Sequence, residues 1–199
     1  MTIIGITGPT GAGKTTALNE LVKLGGCIYD ADAVYHDLLK HNTDLRRELE
    51  ERFGPLTDEK GEFQRKKLGT IVFGAPAALA DLNAITHRYV VQAIRDALAQ
   101  AEEQGVTCAA IDAIGLFESG LDKLCQATVA ITAPSEIRVR RIMEREGISE
   151  EYARSRVSAQ NSDDFFTSRC GHTLINDCAA PEEFAARAKA LFETLLNQN

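Results

Sequence analysis

Five short apolar runs punctuate the chain: Thr2-Ile3-Ile4-Gly5-Ile6-Thr7, Cys27-Ile28-Tyr29-Asp30, Cys108-Ala109-Ala110-Ile111-Asp112, Ala127-Thr128-Val129-Ala130-Ile131-Thr132 and His172-Thr173-Leu174-Ile175. Each is nearly continuous in apolar character rather than alternating, which suits strands covered on both faces and predicts a parallel sheet. Between the runs the periodicity turns helical. Residues 77–103 and the Ala-rich stretch 181–197 read as helices, the second opening on Pro181-Glu182-Glu183 as helix starts often do. Alternating β and α segments predict an α/β fold with a doubly wound, five-stranded parallel sheet. The second and third runs lie too far apart for one crossover helix. Residues 33–103 are therefore expected to hold an inserted helical subdomain, within a single domain whose core is 1–32 and 104–199.

The sharpest local signal directly follows the first run. Gly8-Pro9-Thr10-Gly11-Ala12-Gly13-Lys14-Thr15 is a full G-x-x-x-x-G-K-T phosphate loop, and Thr16-Ala17-Leu18-Asn19-Glu20-Leu21 continues it with helical spacing. A strand, a glycine turn and a helix, in that order, are the setting this motif requires. Glycines let backbone N–H groups curl round an anion, and the helix start adds unsatisfied donors and the positive end of its dipole. Gly11, Ala12, Gly13, Lys14, Thr15 and Thr16 are the expected phosphate contacts. Lys14 would reach the β- and γ-phosphates, and the Thr15 hydroxyl would ligate Mg²⁺. The motif predicts a protein that binds a nucleoside triphosphate.

Composition narrows the partners. The net charge of −7 argues against a general nucleic-acid binder, because phosphate backbones select basic surfaces. No apolar stretch approaches the length of a membrane span and Met1 leads straight into the first run, so a cytoplasmic location is expected, and, since no long apolar surface stripe stands out, a monomer. The five cysteines contain no C-x-x-C pair and, with the four histidines, form no recognisable zinc pattern. Cys27, Cys108 and Cys125 are expected to pack as small hydrophobes.

Three further groups carry chemistry. Asp30-Ala31-Asp32 ends the second run, and period-two alternation would turn both carboxylates to one side of the strand. There they could accept a hydroxyl proton and hold solvent around Mg²⁺, or Asp32, before Ala33-Val34-Tyr35, could cap the following helix instead. Asp112 closes the third run, where phosphate-loop proteins often set a carboxylate toward Mg²⁺. Phe117 and Glu118 follow at the same edge and read equally well as a core aromatic and a solvated acid. Arg138, Arg141 and Arg145 share one helix face at i, i+3, i+7, with Arg140 on the other side. Such a face either clamps a polyanion as part of a lid over residues 138–170, or is a solvated surface neutralised by Glu136, Glu144 and Glu146.

Together these segments resemble the dephospho-CoA kinase family over almost the full length. The resemblance rests on Gly8–Thr16, Asp30-Ala31-Asp32 with Tyr35-His36, and the stretch Gly61–Phe73 with Arg65 and Leu68. It continues through Leu82-Asn83-Ala84-Ile85-Thr86-His87, Leu116–Leu121, Arg141–Arg145 and Ala159-Gln160. The resemblance implies ATP-dependent phosphorylation of the ribose 3′-hydroxyl of dephospho-CoA, with ATP as co-substrate and Mg²⁺ as cofactor. It implies Asp32 as the base, with Lys14 and Arg141 on the transferred phosphoryl group. It also implies His36, Arg65, His87, Phe117 and Glu118 at the acceptor, and Asn176 near the adenine. The sequence departs from the family pattern at Gln64, Arg88, Ile114-Gly115, Asp163–Phe166 and Cys170–His172. Two rivals differ in kind. A nucleoside or nucleotide kinase would share the loop and lid. A GTPase switch is favoured only by Asp58-Glu59-Lys60-Gly61, a D-x-x-G match without a preceding strand or any N-K-x-D segment.

Overall fold

A computed structural model describes residues 1–197. All five apolar runs form strands with the bounds expected from the sequence: β1 (Thr2–Thr7), β2 (Cys27–Asp30), β3 (Cys108–Asp112), β4 (Ala127–Thr132) and β5 (His172–Ile175). Their order in the sheet is β2-β3-β1-β4-β5. β1 runs parallel to β3 and β4, and β4 runs parallel to β5. β1 is thus the central strand, and its Ile4 and Ile6 are wholly buried. Near-continuous apolarity holds best there and weakens outward, since β2 and β5 at the sheet edges keep half-buried and exposed positions.

The chain divides into two compact units, one made of Met1–Tyr29 with the chain from Ala101 onward, the other of Asp30–Gln100. In the first, α1 (Lys14–Lys23) and α9 (Pro181–Asn197) cover one side of the sheet. Ala17, Leu18 and Leu21 of α1 interlock there with Phe184, Ala188 and Phe192 of α9 over Ile4, Ile6 and Ile131. α6 (Ser135–Glu146) and α7 (Glu150–Ser158) pack through Val139, Ile142 and Ala153, and α8 (Asp163–Thr167) follows them. Cys108 is buried in β3, and burial pushes the Cys125 thiol up to about 12.

The second unit consists of α2 (Ala31–His41), α3 (Thr43–Phe53), α4 (Arg65–Val72) and most of α5 (Pro76–Glu103). Leu39, Leu45, Leu49, Leu56, Leu68 and Val72 form its own core. The connection between α3 and α4 is pinned by Asp58, whose Oδ1 accepts from the N–H groups of Lys60 and Glu62, both at 2.9 Å. The other carboxylate oxygen accepts from Gln64 Nε2 at 2.7 Å. Both oxygens of the D-x-x-G aspartate are therefore spent on a local turn, which removes the one feature that favoured a GTPase.

The start of α2 corrects the strand reading of Asp30 and Asp32. β2 ends at Asp30, and Asp30 is the helix cap: its Oδ1 accepts from Asp32 N at 2.9 Å and Ala33 N at 3.1 Å. Period-two alternation stops where the helix begins, so the two carboxylates do not share a strand face. Asp32 lies in the first helical turn with an exposed side chain. Its carboxylate accepts no hydrogen bond among the described residues.

Candidate active site

The phosphate loop is built by glycines at positions no other residue could take. Gly8 adopts φ +143, and a Cβ there would lie 2.0 Å from the Ile131 carbonyl oxygen of β4. Gly13 adopts φ +101 and caps α1, and its Cβ would fall 2.2 Å from Asn176 Nδ2. Left-handed backbone and close approach together exclude a side chain. Gly13 offers no side-chain cap, and the N–H groups of Lys14 and Thr15, the first two of α1, have no acceptor among the described residues. That arrangement suits an anion.

Above the loop lies a cavity of about 360 Å³, lined by Pro9–Thr15, Asp112, Arg141, Arg145 and Arg156. Lys14 reaches into it with a side chain only 14% exposed. Its Nζ donates to the Gly8 carbonyl at 3.1 Å and lies 4.0 Å from Asp112 Oδ1. Thr15 is exposed at the start of α1. Thr15 and Asp112 thus bring a hydroxyl and a carboxylate, both hard oxygen donors, to one polar cavity. Mg²⁺ takes few protein oxygens and keeps the rest of its shell for water and phosphate, so this donor set fits it. Thr16 does not line this cavity. Its N–H turns back to the Gly13 carbonyl at 3.1 Å, and its side chain borders a groove between α1 and α9.

The arginine face separates into three environments. Arg138 is buried, with its Nε donating to the Thr10 carbonyl at 3.0 Å. Arg141 is partly buried: Nη1 donates to the carbonyls of Gly11 and Ala12 at 3.3 and 3.4 Å, and Nη2 to Asn176 Oδ1 at 3.1 Å. Burial pushes the Arg141 guanidinium below its ordinary pKa, and the neighbouring charge of Arg140 adds to this. Arg145 is exposed and pairs with Glu146 at 2.6 Å. Glu146 also pairs with Arg156 of α7, and these two arginines hold its carboxyl below the usual range. The sequence reading missed Arg156. The signal was the Arg-x-Arg of α7, which lacks the loop or strand context that marks a phosphate site.

Asn176 is buried behind the loop. Its Nδ2 donates to the Ala12 carbonyl at 2.9 Å while its Oδ1 accepts from Arg141. Both ends of the amide are occupied, one by the loop and the other by Arg141. Phe117 is half-buried, and Glu118 is paired with Arg169 at 2.5 Å. The Arg169 guanidinium in turn lies 3.8 Å over the Phe165 ring. The acid is thus engaged rather than merely solvated.

In the second unit, Arg65 Nη2 lies 3.2 Å from His36 Nε2. A guanidinium only donates, so Nε2 accepts and the imidazole proton sits on Nδ1, which is buried without a partner among the described residues. Beside them is an apolar cavity of about 1070 Å³, lined by Tyr35, Leu68, Val72, Phe73, Leu79 and Leu82 together with Arg65 and Lys66. Phe73 is 82% exposed at its edge. His87 is half-buried on α5. Among the described residues, no cluster of three or more His, Cys, Asp or Glu stands ready to hold a metal by itself.

Comparison with known proteins agrees with this architecture. The sequence model of the dephospho-CoA kinase family matches residues 2–182. A dephospho-CoA kinase of Dehalococcoides mccartyi is 37% identical over 179 residues, covering 89% of this chain and 90% of the relative. One from Corynebacterium diphtheriae is 34% identical over 177 residues and covers 88% of each. Among solved structures, TT1252 from Thermus thermophilus superposes with a TM-score of 0.79 at 31% identity, covering 98% of this chain and 97% of its own. A Campylobacter jejuni dephospho-CoA kinase shares the fold at a TM-score of 0.59 and 22% identity, over 98% and 97% of the two chains.

Proposed function

This chain belongs to the dephospho-CoA kinase family, which catalyses the final, ATP-dependent step of coenzyme A biosynthesis, and from that premise we propose how its residues divide the work. The loop backbone and Lys14 bind the triphosphate of ATP, and Arg141 joins Lys14 on the oxygens of the γ-phosphoryl group. The acceptor's ribose 3′-hydroxyl oxygen forms the new bond to phosphorus as the bond to the ADP oxygen breaks. Asp32 takes the hydroxyl proton. Phosphoryl transfer asks little covalent chemistry of a protein, so positioning and charge stabilisation carry most of the rate. Thr15 and Asp112 would hold Mg²⁺, which when bound neutralises charge on the phosphate oxygens.

The observation that carries the reading is the gathering of Lys14, Asp112, Arg141 and the open N–H groups of α1 on one polar cavity in an otherwise acidic protein. For Asp32, the support is a free carboxylate next to a cap that Asp30 already supplies. For the acceptor, residues 33–103 act as the binding insertion. Their apolar cavity suits a long, thinly polar arm such as pantetheine, and Arg65 and Lys66 at its lining suit the acceptor's phosphates. His36, 3.2 Å from the Arg65 guanidinium at that lining, is one further acceptor contact. Phe117 and Glu118 are further acceptor contacts, and residues 138–170 form the lid. We extend the reading to a cytoplasmic monomer. The net charge of −7 supports small-molecule partners over nucleic acid or anionic membrane, and no helix among the described residues is long and apolar enough to cross a membrane.

The test is ATP-dependent phosphate transfer to dephospho-CoA, measured beside a panel of nucleosides and nucleoside monophosphates, with and without chelation of Mg²⁺. The expected result is transfer to dephospho-CoA alone, abolished by the chelator. Preferential transfer to a nucleoside would replace the acceptor assignment.

A further inference from the structure

Thr10 stands at the crest of the phosphate loop, and both of its backbone groups are claimed from outside the loop. Its N–H donates to Gln160 Oε1 at 3.2 Å, and its carbonyl accepts from Arg138 Nε at 3.0 Å. Arg138 Nη2 donates to the same Gln160 oxygen, which closes a ring of three hydrogen bonds. The Arg138 side chain is only 5% exposed, and its other nitrogen lies 3.8 Å from Asp163 Oδ1 at the start of α8. That carboxylate oxygen is buried and has no hydrogen-bond partner among the described residues.

A buried guanidinium needs acceptors, and a side-chain amide oxygen that takes two donors is fully used. The geometry points to Gln160 and Arg138 as positioning residues for phosphate transfer, which fasten the Thr10 peptide so that the loop is preorganised to receive ATP. The inference rests on the kinase reading above. Neither side chain acts on phosphate in this role. Gln160 lies outside the residues that line the phosphate cavity, and Arg138 has turned its fork to the back of the loop. What they set is the orientation of two successive peptide planes. With Thr10 N–H and C=O both claimed from outside and Ala12 N–H bonded to the Pro9 carbonyl at 3.3 Å, the N–H groups of Gly11, Gly13 and Lys14, residues that line the cavity, have no acceptor among the described residues. A loop without this fastening has to become ordered when ATP binds, and that ordering weakens affinity without changing the chemistry at phosphorus. The attachment also ties the phosphate loop to the chain between α7 and α8, so a displacement of that segment reaches Thr10 directly.

Two substitutions of near-constant shape separate this role from plain stability. Gln160→Met keeps the volume and removes the acceptor. Gln160→Glu keeps the acceptor and adds charge complementary to Arg138. Gln160→Met should raise the KM for ATP about 5- to 10-fold, the size expected when one partly buried donor loses its acceptor, and speed exchange of the Thr10 amide by a similar factor. The KM for the acceptor should not move, and kcat should stay within about threefold. Gln160→Glu should return both the ATP KM and the Thr10 exchange rate to wild-type values. The inference is overturned if Gln160→Met lowers Tm while leaving ATP KM and Thr10 exchange unchanged, or if Gln160→Glu is as impaired as Gln160→Met. Should the wild-type protein fail to transfer phosphate to dephospho-CoA, the acceptor assignment falls by itself. ADP titration and Thr10 exchange then still decide on the fastening.

Discussion

Arg141→Ala perturbs two things at once, and the structure allows them to be separated. In the protein without ligand, Arg141 donates three hydrogen bonds of 3.1–3.4 Å to Gly11, Ala12 and Asn176. Bonds at the long end of the range contribute about 0.5 kcal/mol each, so their removal costs about 1.5 kcal/mol of stability. For a protein of this size that lowers Tm by about 3–6 °C and leaves the protein folded at room temperature. The loss at the transferred phosphoryl group is larger. Removing one preorganised cation or donor from such a site costs about 2.7–4 kcal/mol, or 10²–10³ in turnover. Turnover at saturating ATP and dephospho-CoA, read beside a melting curve, distinguishes the two contributions. Arg140, exposed on the opposite side of α6, provides the reference. Arg141→Lys keeps the charge without the planar fork and should fall between Arg141→Ala and wild type. If Arg141→Ala at 15 °C works within about threefold of Arg140→Ala, the arginine serves only to hold the loop, and its catalytic assignment fails.

Lys14→Ala should reduce turnover by about 10²–10³ while shifting Tm without nucleotide very little, since Nζ makes one hydrogen bond and a 4.0 Å ion pair. Near-wild-type turnover would remove Lys14 from the phosphate chemistry. The aspartates of α2 should divide cleanly. Asp32→Asn should cut turnover by about 10²–10⁴ with ATP binding and Tm intact, whereas Asp30→Ala should cost about 1 kcal/mol of stability through the lost cap. A destabilised Asp32→Asn that keeps its turnover would reverse those roles.

Much of the fold could be read directly, because short apolar runs in a parallel sheet have one consistent interpretation. All five strands kept their expected bounds. The phosphate loop was equally legible, since its glycines answer to local backbone demands: φ +143 at Gly8 and φ +101 at Gly13. Legibility ended where a side chain's role depends on distant partners. Spacing put Arg138, Arg141 and Arg145 on one face, but it could not say that Arg138 points at Thr10, far away in sequence, and is buried there. Asn176 follows β5 as expected, and only the packing of β5 beside β4 shows its amide turned beneath the loop. The pair Asp30 and Asp32 misled for a simpler reason. A pattern of period two carries no mark of the residue at which the strand gives way to a helix.

The central position of β1 also sets the order in which the protein can be made. Thr2–Thr7 leaves the ribosome long before its neighbours, β3 at Cys108–Asp112 and β4 at Ala127–Thr132. At usual synthesis rates the interval between Thr7 and Thr132 takes about 6–25 s. Until β3 has been made, Ile4 and Ile6, wholly buried in the finished protein, have no neighbouring strand to pair with. The unit Asp30–Gln100 is continuous in sequence and owns its core of leucines, so it can form during that wait. The nascent chain therefore carries an unpaired apolar strand ahead of an already folded helical unit. The phosphate loop, strung between β1 and α1, takes its shape only once β4 has been synthesised, because Ile131 forms the wall against which Gly8 rests.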